Sequence, residues 1–222
     1  MLRSWVVRLA GVAIVVAVTV ASGPAVAVAA PDQGAGSESS SSADGVYGDP
    51  AAAAPYWQPQ SLDDNCGAMS VADVVGELTG DAPTEAQILS VAQQTDSEIN
   101  PGTKIYTPNT GGISVGDLPV LLKHYGIAAA TADGGPGGLS GLEQKLGSGR
   151  KVIAYVNSAL LWNTADQRTA ADHFVVVTGI DANTNVVHLN DPGADNADEQ
   201  IAAPVFMEAW RTGEYDSVVT AA

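Results

Sequence analysis

The spacing of apolar residues changes along this chain, from helical recurrence in its middle to strand-like runs towards its end. Between Cys66 and Leu78, apolar residues recur at Ala68, Val71, Ala72, Val75 and Leu78. Asp64 or Asn65 stands ready to cap this helix and Gly80 lies just past its end. Thr84 and Gln87 make a capping-box pair that opens a second helix through Ile88, Leu89 and Ala92. A loop rich in Pro, Gly, Asn and Thr (100–112) follows. Ser114 then opens a third helix with Leu118, Leu121, Leu122 and Tyr125, closed by Gly126. A glycine-rich turn (134–138) precedes a short helix over 140–146; no Lys-Ser or Lys-Thr pair follows it, which favours a turn over a phosphate cradle. Beyond it, residues 151–156, 173–180, 186–190 and 217–220 read as strands, with a helix over 204–210. Helices first and strands later predict an α+β fold rather than a doubly wound parallel sheet.

The N-terminus has a different character. Arg3 and Arg8 precede an apolar run from Leu9 to Val20, a break at Ser22-Gly23-Pro24 and the small-residue site Ala27-Val28-Ala29. These features mark residues 1–29 as a secretory signal peptide, placing the mature protein outside the cell or in its envelope without stable membrane insertion. Residues 30–55, rich in Ser, Ala, Gly and Pro and including Ser39 to Ser42, have little apolar surface and are expected to be a flexible linker. Residues 56–222 remain for one folded domain. With 25 acidic against 9 basic residues the formal charge is −16, which disfavours nucleic acid and anionic lipid as partners.

The single cysteine excludes an intramolecular disulfide and directs attention to acyl transfer. Such chemistry needs a thiolate, a base, a group that orients the base and an oxyanion donor. Cys66 begins a predicted helix, where free N–H groups and the macrodipole favour a thiolate. Gly67 beside it is expected to leave room for a substrate backbone. His173 opens a strand rich in β-branched residues, Asp191 ends the next one before Pro192, and Gln60 lies upstream of the cysteine. Gln58 rivals Gln60 as the donor, and Asn190 rivals Asp191 as the orienter, because strand alternation lets only one of that pair face the base. His124 near a helix C-terminus reads as structural, and His188 has no obvious partner. Neither joins Cys66 and His173 in metal-ligand spacing, so no metal or cofactor is expected. Asp181-x-Asn183-x-Asn185 lacks the glycine and closing glutamate of a calcium loop and reads as a hairpin turn.

The pattern Gln-x5-Cys-Gly, His-x-Val-Val-Val-x-Gly and Asn-Asp-Pro, spread over about Trp57 to Val219, resembles the bacteriocin-processing, double-glycine-type cysteine peptidases. Ala68 stands where those proteins often carry a proline. The resemblance implies a papain-like fold, with N-terminal helices packed on an antiparallel sheet, in a stand-alone secreted form. It also implies Cys66 as nucleophile, His173 as base, Asp191 as orienter and Gln60 as oxyanion donor, acting on a peptide or protein substrate. An amidase or acyl transferase using the same residues, and a catalytically silent secreted binding domain, are the alternatives.

Overall fold

A computed structural model describes residues 45–134 and 137–222. The expected signal peptide (1–29) and the first part of the expected linker lie outside the described residues.

The chain is α+β, with an antiparallel seven-stranded sheet at its centre. The strands are β1 (Val46–Gly48), β2 (Ala129–Asp133), β3 (Val152–Val156), β4 (His173–Asp181), β5 (Val186–Asn190), β6 (Glu199–Ala202) and β7 (Asp216–Thr220). They follow the order β2-β7-β3-β4-β5-β6, and β1 pairs with β4 where β3 has ended. The helices are α1 (Pro50–Ala53), α2 (Cys66–Thr79), α3 (Glu85–Gln94), α4 (Leu118–His124), α5 (Gly138–Gly147), α6 (Ser158–Leu161) and α7 (Ala203–Arg211).

Strand alternation divides the core into two layers. Phe174, Val176, Ile153 and Val218 pack with α2, α3 and α4 on one face. Val175, Val177, Leu189 and Val219 pack with α5, α6 and α7 on the other. The expected N-terminal helices are therefore in place, and later helices cover the second face.

The predicted helix at Cys66 is the central one. It is buried from Cys66 through Gly76 and emerges only at its end, where Leu78 is exposed rather than part of the core. Gly80, at φ +79°, supplies the left-handed residue that terminates it. The Thr84–Gln87 capping box is present in both halves. At the β4–β5 hairpin, Asp181 accepts from the backbone N–H groups of Asn183 and Thr184, the Asx turn that its Asp-Ala-Asn-Thr-Asn sequence favours.

The expected linker extends too far. Residues 46–56 belong to the folded domain: β1 registers Tyr47 against Ile180, Asp49 caps α1 through Ala52, and Ala53 is buried. Few large apolar residues occur there because the segment contributes backbone bonds to β4 rather than a core face of its own. Strand β2 went unpredicted for a similar reason: its Ala-Ala-Thr-Ala-Asp sequence has weak strand propensity, and pairing with all of β7 holds it.

Candidate active site

Helix α2 and strand β4 meet where Ser70 Oγ donates to the Phe174 carbonyl. One turn earlier along the helix, Cys66 arrives beside His173, close enough for its thiol to raise the imidazole. Asp191 follows the last residue of β5. The β4–β5 register sets Asn190 against Val176, which carries Asp191 to Val175 and makes His173 its diagonal neighbour on the same face. His173 Nε2 lies 2.6 Å from Asp191 Oδ1. With Nε2 so engaged, the ring presents Nδ1 to the thiol.

Asp191 is fully buried and held on every side. Oδ1 also accepts from the Gly193 N–H at 2.6 Å, and Oδ2 accepts from Trp162 Nε1 at 2.9 Å. Burial, the largest single influence, would push this carboxyl up, but the bond and charge of His173 together with the bonds from Gly193 and Trp162 outweigh it and hold it below the usual carboxylate range. Burial likewise opposes charge on His173, but the Asp191 bond and then the Cys66 contact overcome it and lift the imidazole to about 10. The group is therefore an imidazolium at neutral pH, as a thiolate–imidazolium pair requires.

Gln60 lies in the same cleft. Its backbone N–H donates to the Pro192 carbonyl at 2.9 Å, while Trp57 Nε1 donates to the Asp191 carbonyl at 2.6 Å, so residues 57–60 run alongside 191–192. The Gln60 side-chain amide donates to Leu62 O at 2.7 Å, and its Oε1 is buried with no donor on it. The following loop is pinned by Glu85, which accepts from Ser61 N and Oγ and from Asn65 Nδ2. Asn65 is the N-cap residue of α2 but spends its side chain on Glu85, leaving the first N–H groups of the helix without a side-chain cap. A cleft of about 520 Å³ opens over this arrangement, lined by Gln60, Trp162, His173 and Gly193 among others. A second opening of about 630 Å³ includes Ile113, Tyr155 and Phe174. His173 borders the first and Phe174, its neighbour in β4, the second.

The rival residues have other work. Gln58 Nε2 donates to Pro83 O, and Asn190 Nδ2 donates to Ala53 O and Asp73 Oδ2. Gly67 is not an open approach for substrate: a Cβ there would lie 3.2 Å from Leu118 and Phe174, so its smallness serves packing of α2 on the sheet. His188, expected to stand alone, pairs with Asp198 at 2.7 Å.

Two contributors escaped the sequence reading. Trp162 sits at the end of α6 with its ring 5.1 Å from that of His173. Gly193 lies under that indole, where a Cβ would come within 2.7 Å of it. The turn-forming Asn190-Asp191-Pro192-Gly193 run signals the second; a half-exposed tryptophan in a polar loop is the only sign of the first. Among the described residues, no cluster of three or more His, Cys, Asp or Glu side chains is arranged to hold a metal ion.

The arrangement has relatives. Uncharacterised proteins of Mycobacterium tuberculosis and Mycobacterium bovis are each 44% identical to it over 218 residues, covering 88% of this chain and 93% of theirs. A C39-like peptidase from Bacillus anthracis superposes with a TM-score of 0.59 at 19% identity, over 81% of this chain and 98% of that one. The peptidase domain of ComA, a bifunctional ABC transporter of Streptococcus involved in a quorum-sensing pathway, does so at 0.51 and 14%, over 75% and 99%. These two likenesses concern the fold, which is the papain-like one. The sequence model of the Peptidase_C39-like family matches residues 25–218, and the chain belongs to that family.

Proposed function

We propose that the protein is an exported thiol peptidase in which Cys66, His173, Asp191 and Gln60 carry the reaction. The observation that carries this reading is His173, buried between the Cys66 thiol and the Asp191 carboxylate and charged through its contacts with both. Family membership supports peptide-bond chemistry in particular.

The Cys66 thiolate attacks the scissile carbonyl carbon, and the carbonyl π electrons move onto oxygen. Gln60 Nε2 carries two protons and the Leu62 bond uses one, so the other can serve that oxyanion together with the Cys66 backbone N–H. The imidazolium of His173 gives its proton to the leaving amine nitrogen as the C–N bond breaks, leaving a thioester on Cys66. Water, deprotonated by the now neutral imidazole, attacks the thioester; release of the acid restores the thiolate–imidazolium pair. Asp191 holds the ring in line throughout.

A thiol-directed, peptide-like electrophile tests the site, and a degenerate peptide library read by mass spectrometry tests turnover. The expected result is rapid labelling of Cys66 that slows in His173→Ala, with cleavage that disappears in Cys66→Ala. Labelling no faster than that of free glutathione, with no cleavage, would instead assign the domain a binding role. For export, the intact mass of protein recovered from culture medium should correspond to a chain cut near Ala29; a chain retaining Met1 would overturn that part.

A further inference from the structure

The carboxyl of Asp191 has a neighbour that the reaction scheme does not use. Glu199 opens β6 opposite Leu189 on β5, so on the same face of the sheet its carboxyl is the diagonal neighbour of Asp191. An ionised carboxylate has only acceptors, so two carboxyl groups bond to each other only when one retains a proton. The surroundings say which one. Asp191 accepts N–H bonds from His173, Gly193 and Trp162, so it is the ionised member. Glu199 Oε2 is buried and no N–H or hydroxyl of the described residues reaches it, so Glu199 is the acid.

We propose that Glu199 is a positioning residue, which steadies Asp191 against His173 by donating a carboxyl proton and releases it when that proton is lost. The proposal rests on the thiol-peptidase reading for its consequence, a pH-gated activity, but not for the contact itself.

The groups around Glu199 place its ionisation in the neutral range. Burial raises it first, the negative charge and bond of Asp191 raise it further, and His173 on β4 pulls the other way, for a result of about 7. On the neighbouring β5, His188 is paired with Asp198, and Leu189 brings no charge. Asp195 and Asp198 line the same opening as Glu199, about 490 Å³ in volume beside Trp162, and add negative charge. Once Glu199 ionises, two carboxylates face each other where a hydrogen bond had been, and repulsion drives them apart. Asp191 is then pushed against its bonds from Gly193 and Trp162 and away from His173, and a displacement of about 1 Å misaligns the acid that must protonate the leaving amine.

Glu199→Gln separates this from a structural role, because the amide keeps a donor towards Asp191 and does not titrate. The His173 ring signals are followed by NMR as pH passes through about 7. In the wild type they should show an inflection that the variant lacks, and peptide cleavage should fall roughly tenfold or more across it. E199Q should match the wild-type rate on the acid side and keep it on the alkaline side. Glu199→Leu, which removes the donor altogether, should be slow at every pH with no inflection. Superimposable wild-type and E199Q titrations of His173 would overturn the proposal. An inflection lost in E199Q, in a protein that cleaves no peptide, would keep the Glu199–Asp191 device and reject the peptidase reading instead.

Discussion

Asn190 and Asp191 are consecutive, yet they serve opposite faces of the sheet. Asn190 Nδ2 reaches Asp73 Oδ2 at 2.9 Å beneath helix α2, while Asp191 Oδ1 meets His173 Nε2 at 2.6 Å. Their variants should therefore fail in different ways. Asp191→Asn removes the carboxylate whose hydrogen bond, and then charge, do most to raise His173, so the imidazole should titrate well below its value of about 10. Turnover should fall roughly a hundredfold, the lower end of what a positioned acid–base group supplies. Asn190→Ala should leave the His173 titration in place and cost about 1–3 kcal/mol of stability, since it strips a buried partner from Asp73. NMR titration of His173 beside urea unfolding reads both. An unmoved His173 in Asp191→Asn would sink the assignment.

Trp162 joins the roof of the site to its electrostatics. Trp162→Phe keeps a ring over His173 but loses the 2.9 Å bond from Nε1 to Asp191 Oδ2. Turnover is expected to drop several-fold with stability lowered by about 1.5–3 kcal/mol, the range for a hydrogen bond to a charged group. Gly193→Ala attacks the same contact from below, because its Cβ would lie 2.7 Å from the indole. Both variants should weaken the His173–Asp191 pairing in the same direction by NMR. Wild-type kinetics in both would show that the indole merely covers the surface.

Sequence reading singled out Cys66, His173, Asp191 and Gln60 through side-chain chemistry and spacing, and the fold sets His173 beside Asp191 and Gln60 in the same cleft; it reached most elements through periodicity. It was strongest where one element owns its signal: the capping box at Thr84, the left-handed Gly80, and the β-branched run after His173. It stopped where structure comes from a partner. Tyr47 has strand geometry because β4 offers an edge, and Glu199 meets Asp191 only through the β5–β6 register. Gly67 was misread for the same reason, since its neighbours Leu118 and Phe174 are far away in the chain.

The buried polar chain under the site gives a stability prediction with a definite sign. Asp73 is almost completely buried and its Oδ1 has no donor on it; its side chain contacts Glu77, which is ion-paired with Lys151 at 2.6 Å. Burial first, and then the charge of Glu77, push Asp73 from 3.8 up to about 9. Because this value is raised, the folded chain keeps a proton that the unfolded chain releases. The contribution to stability is whole below 3.8 and is lost progressively as pH rises towards about 9. Asp73→Asn has a similar shape, can donate to Glu77 and has no proton to lose. It should match the wild type in acid and exceed it by roughly 2–4 kcal/mol near pH 7 to 8. Urea midpoints compared in acid and at neutral pH test this, and a wild-type-to-variant difference that is constant with pH would exclude a protonated Asp73.

Gln60 and Gln58 provide the sharpest comparison within the proposed mechanism, because they are two residues apart and have the same side chain. Gln58 Nε2 donates to Pro83 O, away from His173, whereas Gln60 lines the cleft with His173 and its backbone is tied to Pro192. An oxyanion donor acts on charge that develops only after the thiolate has attacked. Gln60→Ala should therefore leave simple alkylation of Cys66 nearly unchanged, since alkylation by a haloacetamide forms no oxyanion. Peptide turnover should fall roughly 100- to 1,000-fold, with the loss in kcat rather than KM. Gln58→Ala should alter neither rate by more than a small factor, although it loses a partner for the Pro83 carbonyl and with it about 1 kcal/mol of stability. Equal losses of alkylation and turnover in Gln60→Ala would mean that Gln60 only shapes the loop leading into α2. The oxyanion would then depend on the Cys66 backbone N–H and on another donor in the cleft.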